Sequence, residues 1–292
     1  MSERPPGVDG GWFVGLEPGD EAGAAAAVEE GETETPRAWP RLAVESGYAD
    51  SEAAYYVALR EATIRAARSA VRERERADDR QVVHAVRTMD DLADVTNELA
   101  ERLSEWAGAL FDESGTGLGY ARDVATRHPE TPTEARVVGL ARRIRDLADE
   151  RDELQAFLER MVPLVAPNLA SMAGPVLAAR LIELAGDLES LAKMPSGTVQ
   201  VLGAEDALFA HLRGNAPSPK HGAIYTHEYV HGTRPADRGS AARALAGKLA
   251  IGARIDHYAG DYRPEVEAEL DERIAAIRAR SAAGGANGGD GE

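Results

Sequence analysis

The sequence contains no cysteine among its 292 residues, which excludes disulfide bonds and thiolate metal sites. Aromatic residues make up only 5% of the chain, whereas alanine and leucine are abundant, and this balance favours packed helices over a β-sandwich. No apolar run approaches the roughly 18 residues that a membrane-spanning helix requires. The segment Met1–Gly11 is too polar for a signal peptide. We therefore expect a helical, soluble, cytoplasmic protein.

Lysine is nearly absent as well. Only three of the 33 basic residues are lysines, and the net charge is −17. Such a composition is what we expect of a protein that works in molar salt, where a Debye length of about 3 Å screens repulsion between surface charges. We interpret it as an adaptation to a salt-rich, haloarchaeal cytoplasm. The acidity also argues against indiscriminate binding of nucleic acid through a basic surface.

Charge is distributed unevenly along the chain. Between Met161 and Gly260, nine lysines and arginines stand beside eight acidic residues, so this segment carries about +1 and the remainder about −18. Five of the seven histidines also lie in this segment. An acidic protein with one nearly neutral segment is expected to contact a polyanion there.

Two long helices are predicted in the middle of the chain, after a less regular N-terminal region. In residues 1–50 the pieces GGWFVGLEP and PRLAVESGYA are compatible with short strands or anchored loops, so a small α/β or irregular domain is expected over residues 1–78. Ser51 is the expected N-cap of a helix that reaches Glu75. Apolar residues then recur at helical intervals in two stretches. They are Val82, Ala85, Met89, Leu92, Leu99, Leu103, Trp106 and Leu110, and then Val137, Leu140, Ile144, Leu147, Leu154, Leu158 and Met161.

The break between these two stretches ends in the sequence TPTE. Thr131 is the predicted N-cap of the second helix, Pro132 fits its first position, and Glu134 completes a capping box. Two long amphipathic helices joined by a break favour an antiparallel coiled-coil arm over residues 79–160. A compact bundle of two ordinary helices is the alternative.

Shorter helices are predicted beyond the arm, so the fold class is mainly α. Leucines at helical spacing mark one helix over residues 174–193, and further helices are expected over 204–212, 240–258 and 265–280. Arg243 and Arg254 fall within about 20° on one helix face. The Gly-rich segment 281–292 is expected to be a disordered tail.

The sequence HEYVH, from His227 to His231, matches the H-E-x-x-H pattern of zinc hydrolases. That chemistry requires a helix, on which both imidazoles face the metal and the glutamate acts as a base. The preceding AIYT is extended in character, GTRP ends any helix directly afterwards, and no third ligand stands at a recognisable spacing. We therefore interpret these residues as surface-loop histidines with no metal, and keep a zinc hydrolase as a minor alternative.

The segment from Val165 to Gly214 resembles the Nop domain of the archaeal proteins that partner fibrillarin. The pieces PSPKHGAIYTHEYV and RPADRGSAARALAGKLAIGARIDHYAG continue the resemblance, and the motifs VLGAE, PKHG and ARALAGKLAIGAR occur in this order. The likeness covers about residues 165–280 and extends more weakly back through residues 84–108.

This resemblance implies a scaffold that is not an enzyme and holds no cofactor of its own. An all-helical Nop domain over residues 161–280 is expected to bind a kink-turn box C/D guide RNA that a ribosomal-type kink-turn protein already holds. The arm over residues 79–160 is expected to join two copies into a homodimer. The N-terminal domain is expected to hold fibrillarin, which uses S-adenosylmethionine to methylate RNA at the 2′-oxygen. A Nop-type binder of another RNA, without fibrillarin, is the alternative.

The resemblance also implies which residues contact the RNA and its partner. They are Gln200, Gly203, Ala204 and Glu205 in a junction-facing segment, Arg213 after the next helix, Lys220 and His221 in a basic loop, and Arg238 and Arg243 in the last conserved helix. A helix N-terminus at Ala204 offers backbone N–H groups to a phosphate, and the basic side chains can neutralise further phosphates. His221 can stack on a base.

Two positions depart from the family pattern. Asp206 follows GAE where a lysine is usual, and Ser240 follows RG where another lysine is usual. Loss of lysines weakens the contribution of counterion release to affinity, but this contribution has largely vanished in molar salt. We therefore expect binding to depend more on shape, hydrogen bonds and the partner's surface than on charge.

Overall fold

Regular structure is entirely helical in the residues that the computed structural model describes, which are 11–31, 37–214 and 217–286. The fourteen α-helices in these ranges, α1 to α14 in chain order, are Glu21–Glu30, Trp39–Glu45, Glu52–Arg76, Asp78–Gly108, Gly117–Ala125, Pro132–Val165, Pro167–Ala173, Pro175–Ala185, Leu188–Lys193, Ser196–Val201, Glu205–Leu212, Glu228–His231, Arg238–Tyr258 and Pro264–Ala286. A 3-10 helix, Ala223–Thr226, precedes α12. The predicted mainly α fold is confirmed. None of the described helices is both long enough and apolar enough to cross a membrane.

The chain divides into two compact units, Met1–Ala77 and Asp78–Glu292. The first has an aromatic core, in which the ring of Phe13 stacks on that of Tyr48 with centroids 5.3 Å apart, and Tyr55 is 1% exposed. Residues 11–18 form turns around Phe13, so the first of the two pieces, GGWFVGLEP, is a loop and not a strand there. The strand prediction for the second piece is wrong, because α2 forms around a proline in its first turn, where the fixed φ of proline suits a helix.

The second unit begins with the two long helices α4 and α6, which pair as predicted in antiparallel orientation. The start of α4, at Val86, lies in one apolar core with the end of α6, at Val162. The end of α4, at Leu103, lies in another with the start of α6, at Val137. Since α6 runs without interruption through residue 160, the proposed division between arm and binding domain at that residue stays a prediction, as does pairing of two copies through the arm.

The predicted N-caps of α3 and α6 are confirmed. The Ser51 hydroxyl accepts the Ala54 amide at 3.1 Å, and the Thr131 hydroxyl accepts the Glu134 amide at 3.2 Å. The Glu134 carboxylate reaches back to the amide of Glu130 at 2.8 Å, one residue before the position that a standard capping box uses. These local hydrogen bonds satisfy helix-end donors, so both helix starts follow from the sequence.

Three predicted helix boundaries are wrong. The single helix expected over residues 174–193 is divided into α8 and α9. Gly186 ends α8 with a φ of +100°, and the Asp187 carboxylate caps α9 by accepting the Ser190 amide at 2.7 Å. Helix α13 starts at Arg238, two residues early. Helix α14 continues to Ala286, beyond the expected start of the tail, and residues 287–292 lie outside the described residues.

Helix α13 lies at the centre of the second unit, and one buried carboxylate on it holds the start of α7. Asp256 is 6% exposed and accepts hydrogen bonds from the Asn168 amide at 3.0 Å, the Asn168 side chain at 2.6 Å and the Leu169 amide at 2.9 Å. Burial raises the pKa of Asp256, and its hydrogen bonds oppose that shift. Asn168 in turn accepts the Arg263 amide at 2.8 Å, so α7, α13 and the start of α14 are tied together.

Candidate nucleic-acid interface

The candidate interface is assembled where the end of α10 meets the loop before the 3-10 helix. The side-chain amide of Gln200 donates to the Lys220 carbonyl at 2.7 Å, and the Gly222 amide donates to the Gln200 carbonyl at 2.9 Å. A Cβ atom on Gly222 would overlap the carbonyl oxygen of Leu202. The two predicted residues Gln200 and Lys220 are thus brought together by a close backbone approach that glycine at position 222 permits.

The turn at Gly203 leads from this contact into α11. Gly203 has a φ of +81°, and Ala204 is the N-cap residue without a side-chain hydrogen bond of its own. The Glu205 carboxylate accepts the Gly203 amide at 2.8 Å, and Asp206 adds a second carboxylate to the first turn. The helix N-terminus that was expected to receive a phosphate therefore carries two negative charges, which favour hydrogen-bond donors of a partner over a phosphate.

Three side chains form an aromatic stack beside this turn: His221, Tyr225 and Arg238. The rings of His221 and Tyr225 lie 4.5 Å apart at an interplanar angle of 23°, and the Arg238 guanidinium lies 5.5 Å from the centroid of the Tyr225 ring. Tyr225 is absent from the predicted set. The segment AIYT was expected to be extended, but it forms a 3-10 helix, and Tyr225 on this helix stacks on His221. We call this group the aromatic stack.

Arg238 is fixed from several sides. Its Nε donates to the Thr233 carbonyl at 3.0 Å, its Nη2 to the His231 carbonyl at 3.0 Å, and its Nη1 to the Tyr225 hydroxyl at 3.3 Å. Three of the five N–H groups of the guanidinium are thereby used within the protein. Two N–H groups are left for the phosphate contact that was predicted for Arg238, and that contact stays a prediction.

Lys220 and Arg243 are the better placed cations. A Cβ atom on Gly239 would lie 3.8 Å from Lys220 Cδ, so the lysine stem crosses the first turn of α13. Arg243 follows Gly239 by four residues, hence on the same helix face. Both side chains are exposed, and neither makes a hydrogen bond or ion pair with the part of the chain that the structure describes. They are available to phosphates.

Helix α11 projects from the unit, and none of its residues is buried. Phe209 is 54% exposed and Leu212 is 70% exposed, so the helix presents apolar side chains to the solvent. Arg213 caps its C-terminal end, about 14 Å along the helix from Ala204. Of the predicted set, Arg213 therefore lies at the opposite end of α11 from Ala204 and Glu205. The exposed Phe209 and Leu212 were not predicted.

The H-E-x-x-H sequence does not lie on one helix. The expected extended segment before it is the 3-10 helix, and α12 contains only Glu228–His231. His227 is the N-cap of α12, and its Nδ1 accepts the Tyr229 amide at 3.1 Å. Burial lowers the pKa of His227. No group of three metal-binding side chains occurs in the described ranges, and the capping role turns the first histidine back onto its own backbone.

These features define the class of the protein: a helical domain that includes an antiparallel helix pair, with a candidate interface built from a loop, a turn and the start of α13. Residues 122–276 match the family model of the Nop domain, which is described as a snoRNA binding domain with fibrillarin. The match covers more than half of the chain, and the chain therefore belongs to the Nop family.

Similar proteins agree with this assignment. A NOP5 family protein of Methanocaldococcus jannaschii is 37% identical over 238 residues, which are 68% of this chain and 57% of the relative. Nucleolar protein 58 of Scheffersomyces stipitis is 32% identical over 245 residues, 69% of this chain and 48% of the relative. The chain thus spans about half the length of the curated relatives it matches. A crystal structure of a fibrillarin/Nop5p complex contains a chain with a TM-score of 0.54 and 25% identity, covering 87% of this chain and 91% of that one.

Proposed function

We propose that this protein is a non-catalytic scaffold of a box C/D guide ribonucleoprotein. It binds kink-turn guide RNA together with a ribosomal-type kink-turn protein and recruits fibrillarin for RNA 2′-O-methylation. The observation that carries the proposal is the convergence of Lys220, Arg243 and the aromatic stack on one surface of the least acidic part of the chain. Membership of the Nop family supports it.

The chemistry of this surface suits an RNA with unpaired bases. Lys220 and Arg243 supply two exposed cations for backbone phosphates. The imidazole of His221 supplies a flat face on which an unstacked base can lie. Few cations are present for a protein that binds RNA, so affinity depends on the fit of a bent RNA and on a second protein that shapes it.

The neighbouring helix α11 suits that second protein. Its apolar residues Phe209 and Leu212 are exposed, and its first turn is acidic. Covering exposed apolar side chains with a protein partner lowers the free energy of the complex, whereas carboxylates repel phosphates. We assign α11 to contact with the kink-turn protein, beside the RNA-facing surface.

Recruitment of fibrillarin is assigned to the N-terminal unit, and dimerisation to the arm. A groove of about 460 Å³ lies between α1 and α3, lined by apolar and charged side chains that include Val57, Ile64 and Arg68. Val57 is 58% exposed, so the groove is open to a partner. The solved fibrillarin/Nop5p complex, whose chain is covered almost fully, supports this assignment.

A gel shift tests the RNA-binding proposal. A kink-turn RNA is titrated with native protein and with the Lys220/His221/Arg243 triple alanine variant, each with and without the ribosomal-type kink-turn protein. We expect the native protein to form a complex only when that partner is present, and the triple variant to lose at least tenfold in affinity. Equal complex formation by both proteins would refute the site assignment.

The matched control is the triple alanine variant at His128, Arg136 and Arg160. It removes one histidine and two cations, all exposed and all outside the candidate interface. We expect it to bind as the native protein does. Capture of fibrillarin by the immobilised native chain, and its loss after deletion of residues 1–77, tests recruitment separately. RNA binding without capture would favour the alternative of a Nop-type binder of another RNA.

A further inference from the structure

The aromatic stack contains two residues whose geometry indicates a role other than direct contact with RNA. Tyr225 stacks on the His221 ring, and the Arg238 guanidinium lies 5.5 Å from the centroid of the Tyr225 ring. We propose that Tyr225 and Arg238 are positioning residues, which hold His221 as a preformed platform for one unpaired base, and that Arg238 does not contact phosphate. This inference rests on the proposed function and names the element of the RNA that the site selects.

The first step concerns His221. Tyr225 covers one face of the imidazole with nearly parallel rings 4.5 Å apart, so only the opposite face can receive a base. A histidine on a loop would otherwise sample several rotamers and would lose that freedom on binding. Contact with Tyr225 restricts the His221 ring before RNA binds. The entropy cost of ordering this side chain therefore falls on folding and not on binding.

The second step concerns Arg238, which holds Tyr225 in turn. Its planar guanidinium donates to two carbonyl groups that follow one another around the end of α12, those of His231 and Thr233. The same group donates to the Tyr225 hydroxyl and lies over its ring. A lysine has the same charge but lacks the fork that reaches three acceptors at once. The position therefore requires the shape of arginine.

The third step separates positioning from direct phosphate contact. A phosphate contact contributes about 0.7 to 0.9 to the slope of log affinity against log salt, whichever cation makes it. A positioning residue contributes nothing to this slope, although its loss weakens binding. Lys220 provides the comparison, since it lies beside the stack and its ammonium makes no hydrogen bond or ion pair with the described residues.

The test uses the full chain with the ribosomal-type kink-turn protein and a kink-turn RNA, over a range of KCl concentrations. We expect Arg238→Lys, Arg238→Gln and Tyr225→Leu each to lower affinity about tenfold at every salt concentration, with the native slope retained. Arg238→Gln separates the two roles, because loss of the charge would lower the slope if Arg238 contacted a phosphate. Tyr225→Phe keeps the ring and is expected to lose less than threefold. Lys220→Ala is expected to lower the slope by about one phosphate. Native affinity in Arg238→Lys, or a slope lowered by about one phosphate in Arg238→Gln, would overturn the proposal.

A second measurement detects the base itself. Each unpaired nucleotide of the RNA is replaced in turn by an abasic one, and we expect one replacement to weaken native binding about tenfold. With that abasic RNA, Tyr225→Leu should cause no further loss, because both changes remove the same stacking contact. A full additional loss would show that Tyr225 acts only on the fold and would overturn the positioning role.

The two proposals fail in different ways. If native protein forms no complex with RNA and the kink-turn protein, the proposed function fails and the base platform fails with it. If the complex forms and only the variant results differ from expectation, the positioning role alone is overturned. NMR of the His221 ring in free protein adds a check, since loss of the Tyr225 ring in Tyr225→Leu should shift the His221 resonances and unchanged resonances would count against the stack.

Discussion

Asp256 shows how one buried side chain stabilises the second unit. Its carboxylate accepts three hydrogen bonds from Asn168 and Leu169, in a region closed to water. Without it the two backbone donors at the start of α7 lose their acceptor, and a buried unsatisfied donor costs about 1–3 kcal/mol. The residue is thus a structural element of the unit that carries the candidate interface.

We predict that Asp256→Ala lowers the free energy of unfolding by about 3 kcal/mol, since two buried amides lose their partner and a small cavity opens. Asp256→Asn retains one acceptor oxygen and is expected to lose about half as much. Chemical denaturation monitored by circular dichroism measures both variants. A loss below about 0.5 kcal/mol in the alanine variant would contradict the assigned role.

His227 makes stability depend on pH. Burial lowers its pKa from the ordinary value near 6.5, so the folded protein prefers the neutral imidazole. A lowered folded-state pKa contributes stability that is present above the unfolded pKa and is lost as pH falls through the folded pKa. We predict that His227→Asn, which keeps a cap for α12, is less sensitive to acid than the native protein between pH 7 and pH 5.

Thermal unfolding over this pH range measures the effect. The control is His128→Asn, at an exposed histidine between α5 and α6, and it should follow the native pH dependence. The same acid sensitivity in His227→Asn as in the native protein would show that other groups produce it.

At the scale of elements, the contact between α10 and the loop 217–222 decides whether the interface exists. We predict that Gly222→Ala lowers the free energy of unfolding by about 2 kcal/mol or more, because a methyl group there meets the Leu202 carbonyl oxygen. It should also separate Gln200 from Lys220 and weaken RNA binding. Denaturation and the same gel shift measure the two effects.

Gly239→Ala is the matched control for this prediction. A Cβ atom at Gly239 meets only the flexible stem of Lys220, at 3.8 Å, and alanine suits the first turn of α13 better than glycine does. We expect its stability to equal or slightly exceed that of the native protein. If both alanine variants behave alike, the close approach at Gly222 is not what holds the two segments together.

At the scale of the whole molecule, the charge of −17 predicts dependence on salt. Repulsion among the acidic groups is screened within about 3 Å in molar salt and reaches much further in dilute buffer. We expect the protein to unfold, at least in part, on transfer from molar KCl to dilute buffer, as measured by circular dichroism after dialysis. Full helicity and an unchanged melting temperature in dilute buffer would contradict this.

Helix starts were the part of the fold most accessible from the sequence. Ser51 and Thr131 cap helices through contacts with residues three positions ahead, which sequence spacing alone reveals. The break at Gly186 was harder to predict, since the leucines on either side keep a helical interval through it. The periodic pattern indicates which face of the helix is buried. The end of α8 is set by Gly186, which has a positive φ, and the start of α9 by its N-cap Asp187.

The candidate interface was predicted as a set of residues and not as an arrangement. Gln200 and Lys220, twenty positions apart, are linked by a hydrogen bond that no sequence interval indicates. Arg238 was predicted to contact phosphate, yet its guanidinium donates to carbonyls at His231 and Thr233. Tyr225 was missed because the segment AIYT was expected to be extended, and an extended chain would not bring it over His221.

The sequence by itself determined the helical class, the antiparallel pairing of α4 with α6, the acidity and the Nop resemblance, because composition, apolar spacing and caps act over a few residues. Only the tertiary structure decided which cations are free and which are fixed. Lys220 and Arg238 are both basic residues of one surface, and the difference between them lies in carbonyl groups that packing brings within 3.0 Å of Arg238. Such contacts depend on the close packing of distant segments, which local spacing does not record.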